Sequence, residues 1–258
     1  MSPGHRALSW AATLVFLPVF GTIFLVFDVA QRVALLFGQR PQEHVAGVLQ
    51  WTLVQAFRIC GVRLEIERDP GVERGASYLV VSNHQSMFDI VILGSVLYSN
   101  FPKYVSKASL GKWIPSVSFN LRHGGHVLID RNDGTAAVEA IRELGRRVEG
   151  GGCSALIFPE GTRGRKGDLG KFKPAGSLAL FDEAPATPVV PVAIDESWRV
   201  LQHNYLPVPF GVRVRVRVGA PIARRPDEDR MALLGHVRGE IADTLARWRG
   251  ESRHARAA

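Results

Sequence analysis

Short apolar runs that each stop at a cluster of polar or small residues set the architecture open to this chain. They fall near 78–82, 126–130, 155–159, 189–194 and 212–218, with helical patterns between them. Strands that alternate with helices pack as a layered α/β fold, because each strand must bury its apolar faces under the helices connecting it to the next. The expectation is a mixed, mostly parallel sheet flanked by helices on both faces. A chain of 258 residues is long enough for one such domain with a sizeable core. At 46% hydrophobic it is neither disordered nor wholly embedded in lipid.

The polar clusters at the strand ends carry the chemistry. After Ser77–Ser82 comes Asn83-His84-Gln85-Ser86-Met87-Phe88-Asp89, and Ile90–Leu93 then continues as an apolar helix. A carboxylate that holds one imidazole nitrogen leaves the other free to take a proton from a hydroxyl at neutral pH. A spacing of five turns two side chains apart on a regular helix, so His84 and Asp89 can meet only if the junction is irregular. The plainer reading is a capped strand-end histidine followed by a helix-capping aspartate. A second run, Leu156-Ile157-Phe158, ends at Pro159 and gives way to Glu160, Gly161, Thr162 and Arg163. Proline cannot donate to a sheet, glycine turns the chain with its amides exposed, and arginine offers a planar fork suited to phosphate. A third run, Gly125–Asp130, is followed by Arg131. Either arginine alone is more commonly a solvated loop residue. Together with a His–Asp pair they suggest one cleft at the carboxyl ends of strands.

These segments, in this order, resemble the glycerolipid acyltransferase family. Asn83-His84 and Asp89 match its NHxxxxD block, and Gly125 through Arg131 match a glycine-to-arginine block with Leu128 at the aromatic position. Phe158–Arg163 match FPEGTR residue for residue, and Val189-Val190-Pro191-Val192 match a proline-containing strand. The family often has serine after FPEGTR, where this chain has Gly164. The resemblance implies transfer of a fatty acyl group from acyl-CoA or acyl-carrier protein to the sn-2 hydroxyl of lysophosphatidic acid (1-acyl-sn-glycerol 3-phosphate), giving phosphatidic acid. His84 would be the base and Asp89 its orienting acid. Arg131 and Arg163 would bind phosphate, with Gly161 and Thr162 completing the loop. Glu160 would accept glycerol hydroxyls or orient an arginine, and Lys107 would bind phosphate or the donor. Lys171 and Lys173 are weaker phosphate candidates, and Lys103 and Lys112 read as solvated surface residues. Another lysolipid acceptor, or a lipid-binding protein without catalysis, remains an alternative. Ser86 sits in no nucleophile elbow, so direct transfer without an acyl-enzyme is expected. No cluster has metal-ligand spacing and no step calls for a cofactor.

From Ala7 to Phe27 no residue is charged, although Pro18 and Gly21 interrupt the run. A second helical stretch covers roughly 44–62. The pair reads as an N-terminal helical hairpin that lies in or dips into a membrane interface, which is also what the family's bacterial members imply. A single spanning anchor and two ordinary core helices are the alternatives. No small-residue cleavage site follows, which speaks against a signal peptide. The expected organisation is a membrane-associated two-helix segment over 1–65, an acyltransferase domain over 66–250 and a frayed tail over 251–258. The formal charge of +8 suits anionic headgroups or an acidic carrier. Nucleic acid is disfavoured, since no zinc finger, RNP-like block or helix-turn-helix accompanies the charge. The alternating Arg213-Val214-Arg215-Val216-Arg217-Val218 reads as a strand with one wet face. Cys60 and Cys153 read as buried free thiols of a reducing compartment. The family likeness places the protein on the cytoplasmic face of a bacterial inner membrane.

Overall fold

The computed structural model describes residues 2–130, 133–202, 205–225 and 227–257, without the side chains of 165 and 252–257. In chain order the elements are α1 (Pro3–Leu35), α2 (Gln39–Ala56), β1 (Arg63–Arg68), β2 (Leu79–Ser82), α3 (Asp89–Val96), β3 (Pro102–Lys107) and α4 (Val117–His123). These are followed by β4 (Val127–Ile129), α5 (Gly134–Glu149), β5 (Ser154–Ile157), α6 (Pro174–Glu183), β6 (Val189–Asp195), β7 (Arg213–Val218) and α7 (Arg230–Ala257). The described strands form one sheet in the order β1-β7-β6-β2-β5-β3-β4. From β6 through β4 every pairing is parallel. β7 runs antiparallel to β6 and carries β1 parallel to itself at the edge. The mixed, mostly parallel α/β sheet expected from the sequence is therefore present. The carboxyl ends of β6, β2, β5, β3 and β4 share one edge.

Strand alternation divides the core into two layers. Val80, Val190, Val192 and Ile194 face a cluster with Phe16, Phe57, Ile92 and Leu93, from the helices on one side. Leu79, Val81, Val189 and Ala193 face the other cluster, with Leu144, Leu180, Val237 and Trp248 from α5, α6 and α7. β2 is buried on both faces, so its sequence is an unbroken apolar run rather than an alternating one. On β7 the alternation does hold: the valines are buried and the arginines face outward. Those arginines are balanced by the neighbouring strand. Glu65 pairs with Arg213 at 3.1 Å and Arg215 at 3.3 Å, and Glu67 lies 3.5 Å from Arg217.

The first two helices pack as a hairpin, but α1 is longer than its uncharged stretch and runs through Pro18. One of its faces is fastened to the sheet domain at both ends. Near the start, the Val208 amide donates to Thr13 Oγ1 at 3.0 Å and the Phe210 amide to Ser9 Oγ at 3.1 Å. Near the end, the Ser116 amide donates to Asp28 Oδ1 at 2.6 Å, and Gln31 Nε2 donates to the Ser116 hydroxyl. The opposite face exposes Leu14, Val15, Leu25, Val26, Val29 and Val33, and Leu36 and Phe37 of the following turn are exposed as well. The expected boundary at 65/66 falls inside β1, so the sheet begins just beyond the helical hairpin.

Candidate active site

Residues 83–88 form an irregular link between β2 and α3, and that link lets a spacing of five close. Asn83 fixes the strand end: its amide nitrogen donates to the Ile194 carbonyl and its oxygen accepts the Ile194 amide, both at 2.8 Å. The chain then folds back over Asp89, the first residue of α3. Asp89 Oδ2 accepts the amides of Gln85 at 2.6 Å and Ser86 at 2.8 Å, and the ring Nδ1 of His84 donates to it at 2.8 Å. Asp89 Oδ1 accepts the Ser197 hydroxyl at 2.6 Å. Four donors thus converge on a carboxylate that is 0% exposed, at a helix N-terminus that favours negative charge. With Nδ1–H held by the carboxylate, His84 Nε2 carries the free lone pair. The His84 side chain is 14% exposed, and its ring stacks on Phe158 with centroids 4.2 Å apart.

The loop after β5 clamps the backbone of His84 from both sides. Glu160 Oε1 accepts the His84 amide at 2.8 Å, and the Gly164 amide donates to the His84 carbonyl at 2.7 Å. Glu160 Oε2 accepts the Gly170 amide at 2.8 Å. At 4% exposed, Glu160 spends both oxygens bracing two loops, where sequence reasoning expected contact with glycerol hydroxyls or an arginine. Burial pushes its carboxyl above the usual range, against the opposing pull of the His84 and Gly170 amides. Gly164 departs from the family's serine for a visible reason. A Cβ there would stand 2.2 Å from the Asp168 carbonyl oxygen.

Gly161 turns the loop at φ +67°, and its amide donates to the Phe158 carbonyl at 3.0 Å. Beyond it Thr162 and Arg163 are exposed, and the Arg163 guanidinium makes no hydrogen bond or ion pair with a described residue. Lys173 brings its ammonium to 3.4 Å from where a Gly161 Cβ would lie, so this weaker phosphate candidate sits beside the loop. Lys171 is exposed nearby in sequence. Lys107 is exposed at the carboxyl end of β3, separated from β2 by β5. Arg131 follows β4 in sequence and lies outside the described residues. Lys103 is not the solvated lysine expected: it is buried, donates to Gly124 at 2.9 Å and pairs with Glu43 of α2. Cys60 and Cys153 are buried free thiols, and burial pushes Cys60 up to about 11, far from a thiolate.

Ser197 has no signal in the sequence; only a demand for donors around a buried Asp89 could have pointed to it. The same holds for a brace behind the site. Gln85 Nε2 donates to Asp195 Oδ1 at 3.1 Å, and Arg249 of α7 reaches the same oxygen at 3.2 Å and the Gly167 carbonyl.

The family model for acyltransferases matches residues 63–195, the span holding the His84 link and the Glu160 loop. The chain is 32% identical over 170 residues to human 1-acyl-sn-glycerol-3-phosphate acyltransferase beta, covering 65% of this chain and 60% of that protein. It is 28% identical over 195 residues to the Escherichia coli protein named 1-acyl-sn-glycerol-3-phosphate acyltransferase, covering 75% and 76% of the two. In fold it is similar to the crystal structure of the 1-acyl-sn-glycerophosphate acyltransferase of Thermotoga maritima. The TM-score is 0.75 at 19% identity, over 94% of this chain and 97% of that one. The matched segment spans less than two thirds of the human protein's own length, yet the family model covers half of this chain, and the chain belongs to the acyltransferase family.

Proposed function

We propose that this chain transfers a fatty acyl group from a thioester donor, acyl-CoA or acyl-carrier protein, to the sn-2 hydroxyl of 1-acyl-sn-glycerol 3-phosphate, forming phosphatidic acid. One observation carries the reading: the Nε2 of an Asp89-oriented His84 stands beside a loop that offers a guanidinium with no partner among the described residues. The names borne by its relatives agree with it.

The chemistry follows from the geometry. His84 Nε2 removes the hydroxyl proton as the oxygen attacks the thioester carbonyl. Asp89 stabilises the imidazolium that forms, as the acid does in a serine-protease triad. The tetrahedral oxyanion then collapses, the carbon–sulfur bond breaks, and the imidazolium returns the proton to the thiolate. The substrate hydroxyl replaces an enzyme nucleophile, and proton and acyl group account for every bond made or broken, so no metal or cofactor is required. The Thr162 and Arg163 amides make no hydrogen bond to described residues and are the candidate oxyanion donors. Arg163, together with Arg131 on the strength of its sequence position, would hold the acceptor's phosphate.

A cavity of about 460 Å³ lined by Phe57, Leu64, Phe88, Ile92, Val200 and Val214 lies on the α1–α3 side of the sheet. Phe88, next to Asp89, forms part of its wall, and its apolar lining suits a fatty chain.

α1 has the length and mean hydropathy (2.2) to cross a bilayer. Its fastened ends argue for another placement. Ser9 and Gln31 are six turns apart, roughly 33 Å, which is the thickness of a hydrocarbon core. A helix crossing that core could not hydrogen-bond both ends to one domain on one side. The reading is therefore a monotopic enzyme: α1 lies along the interface with its apolar stripe in lipid, and the site opens to the cytoplasm of a bacterial inner membrane. The test is turnover of purified His84→Ala protein on lysophosphatidic acid with acyl-CoA and acyl-carrier protein. A loss of about 100- to 10,000-fold with an unchanged melting temperature is expected. Undiminished activity would end the mechanism, and a panel of other lysolipid acceptors tests the substrate.

A further inference from the structure

The most exposed tryptophan of the chain is not on the membrane helix. Trp113, in the segment between β3 and α4, is 96% exposed. Its backbone sits at φ +68°, a region that large side chains rarely occupy and that the surroundings must enforce. The enforcement is visible. Ser118 Oγ donates to the Leu110 carbonyl and accepts the Ile114 amide, each at 2.9 Å, pinning the chain on both sides of Trp113. Two residues beyond Ile114, Ser116 is bonded to Asp28 and Gln31 of α1. The tip is thus hydrogen-bonded on both sides and joined to the helix that carries Leu25, Val29 and Val33 on its exposed face, with Leu36 exposed just past its end.

We propose that the tip Lys112-Trp113-Ile114 is a second membrane-contacting element, seated among the headgroups of an anionic bilayer beside the C-terminal half of α1. The proposal rests on the interfacial reading of α1. Three features favour a lipid surface as the occupant. The tip is continuous with α1's apolar face through Ser116. An indole with an apolar body and one N–H is suited to the boundary between hydrocarbon and water. Its surroundings are basic as well: Lys112 and Arg122 are exposed, and the Arg122 stem lies 3.8 Å from a Cβ built at Gly111. Such residues draw anionic headgroups. The tip also follows Lys107 by only a few residues, so its contact with lipid lies toward the sheet edge that carries His84.

The test uses the full chain with an environment-sensitive fluorophore on Trp113→Cys or, separately, on Leu25→Cys. Labelled wild type serves as the control, since Cys60 and Cys153 are buried. Vesicles of equal parts phosphatidylglycerol and phosphatidylcholine are expected to shift both probes to the blue. Lys112→Glu is expected to weaken partition at least about fivefold on these vesicles, with less effect on phosphatidylcholine alone. Trp113→Gly relieves the positive φ while deleting the indole, so it is expected to fold at least as well and bind the vesicles less. If the Leu25 probe shifts while the Trp113 probe stays aqueous, the tip proposal is overturned and the α1 reading stands. If neither shifts, the interfacial reading fails and takes the tip with it.

Discussion

Ser197→Ala isolates the part of the site that no motif marks. The hydroxyl is fully buried and donates to Asp89 Oδ1 at 2.6 Å. Bonds to a charged acceptor contribute about 1.5–3 kcal/mol, and the void left by one oxygen adds little. For a chain of this size the melting temperature should therefore fall by roughly 3 to 10 °C. The effect on rate should be smaller than that of losing His84, because Asp89 Oδ2 keeps its three donors and still faces Nδ1. Loosening the carboxylate by ~1.4 kcal/mol at the transition state corresponds to about a tenfold drop in kcat, with KM little changed. Ser177→Ala is the matched control: Ser177 is also fully buried, but its hydroxyl has no partner among the described residues, so removing it should leave stability unchanged or raise it. Thermal melts and thiol release from acyl-CoA read both quantities. If the two alanine variants behave alike in melt and in rate, the Ser197–Asp89 contact contributes nothing and the argument is wrong.

Arg163→Ala is expected to raise KM for the phosphate-bearing acceptor about ten- to a hundredfold while leaving the melt unchanged, since the guanidinium has no partner among the described residues to lose; an unchanged KM would remove it from the phosphate site. His126 is pushed down to about 3 by burial, aided by Lys103 and Arg147, while its Nδ1 accepts the Tyr104 amide at 3.1 Å. A depressed histidine is bound neutral by the fold, so its stabilisation is complete above the ordinary value of 6.5 and is lost as pH falls. The slope is about 1.4 kcal/mol per pH unit in that window. Urea midpoints between pH 6.5 and 4 should fall more steeply for wild type than for His126→Gln, and parallel curves would contradict this. Leu64→Phe narrows the cavity and is expected to shift donor preference toward shorter acyl chains; an unchanged chain-length profile would place the chain elsewhere.

The sequence made legible those parts of the fold whose signals are local. Strands buried on both faces, such as β2 and β5, are continuous apolar runs, and the polar clusters that follow them are the loops of the candidate site. β1 and β3 were not legible as strands. β1 reads Arg-Leu-Glu-Ile-Glu-Arg, charged because its glutamates answer arginines on β7, 150 residues away in sequence. β3 opens with proline and contains Lys103, whose burial makes sense only once Glu43 is brought against it by the helical hairpin. Asp89 shows the same division. Its meeting with His84 could be posed as a condition on five residues of backbone, but the donor on its far oxygen comes from Ser197, after another strand.

Strand order also separates the basic residues that sequence alone treats as equivalent. Arg163 belongs to the loop after β5, directly beside β2 and fastened to the backbone of His84. The sn-2 oxygen and the phosphate of the acceptor are separated by only a few bonds, so a hydroxyl at His84 places its phosphate against this neighbouring loop. Lys107 ends β3, two strands from β2, and neighbouring strands lie about 4.8 Å apart, a lateral offset of roughly 10 Å. Its ammonium could meet the same phosphate only by reaching back across β5. A thioester donor whose carbonyl meets the hydroxyl must extend its own phosphates, or an acidic carrier surface, away from the acceptor. On the proposed function, this strand spacing favours Arg163 for the acceptor's phosphate and leaves the exposed Lys107 as a candidate for the donor.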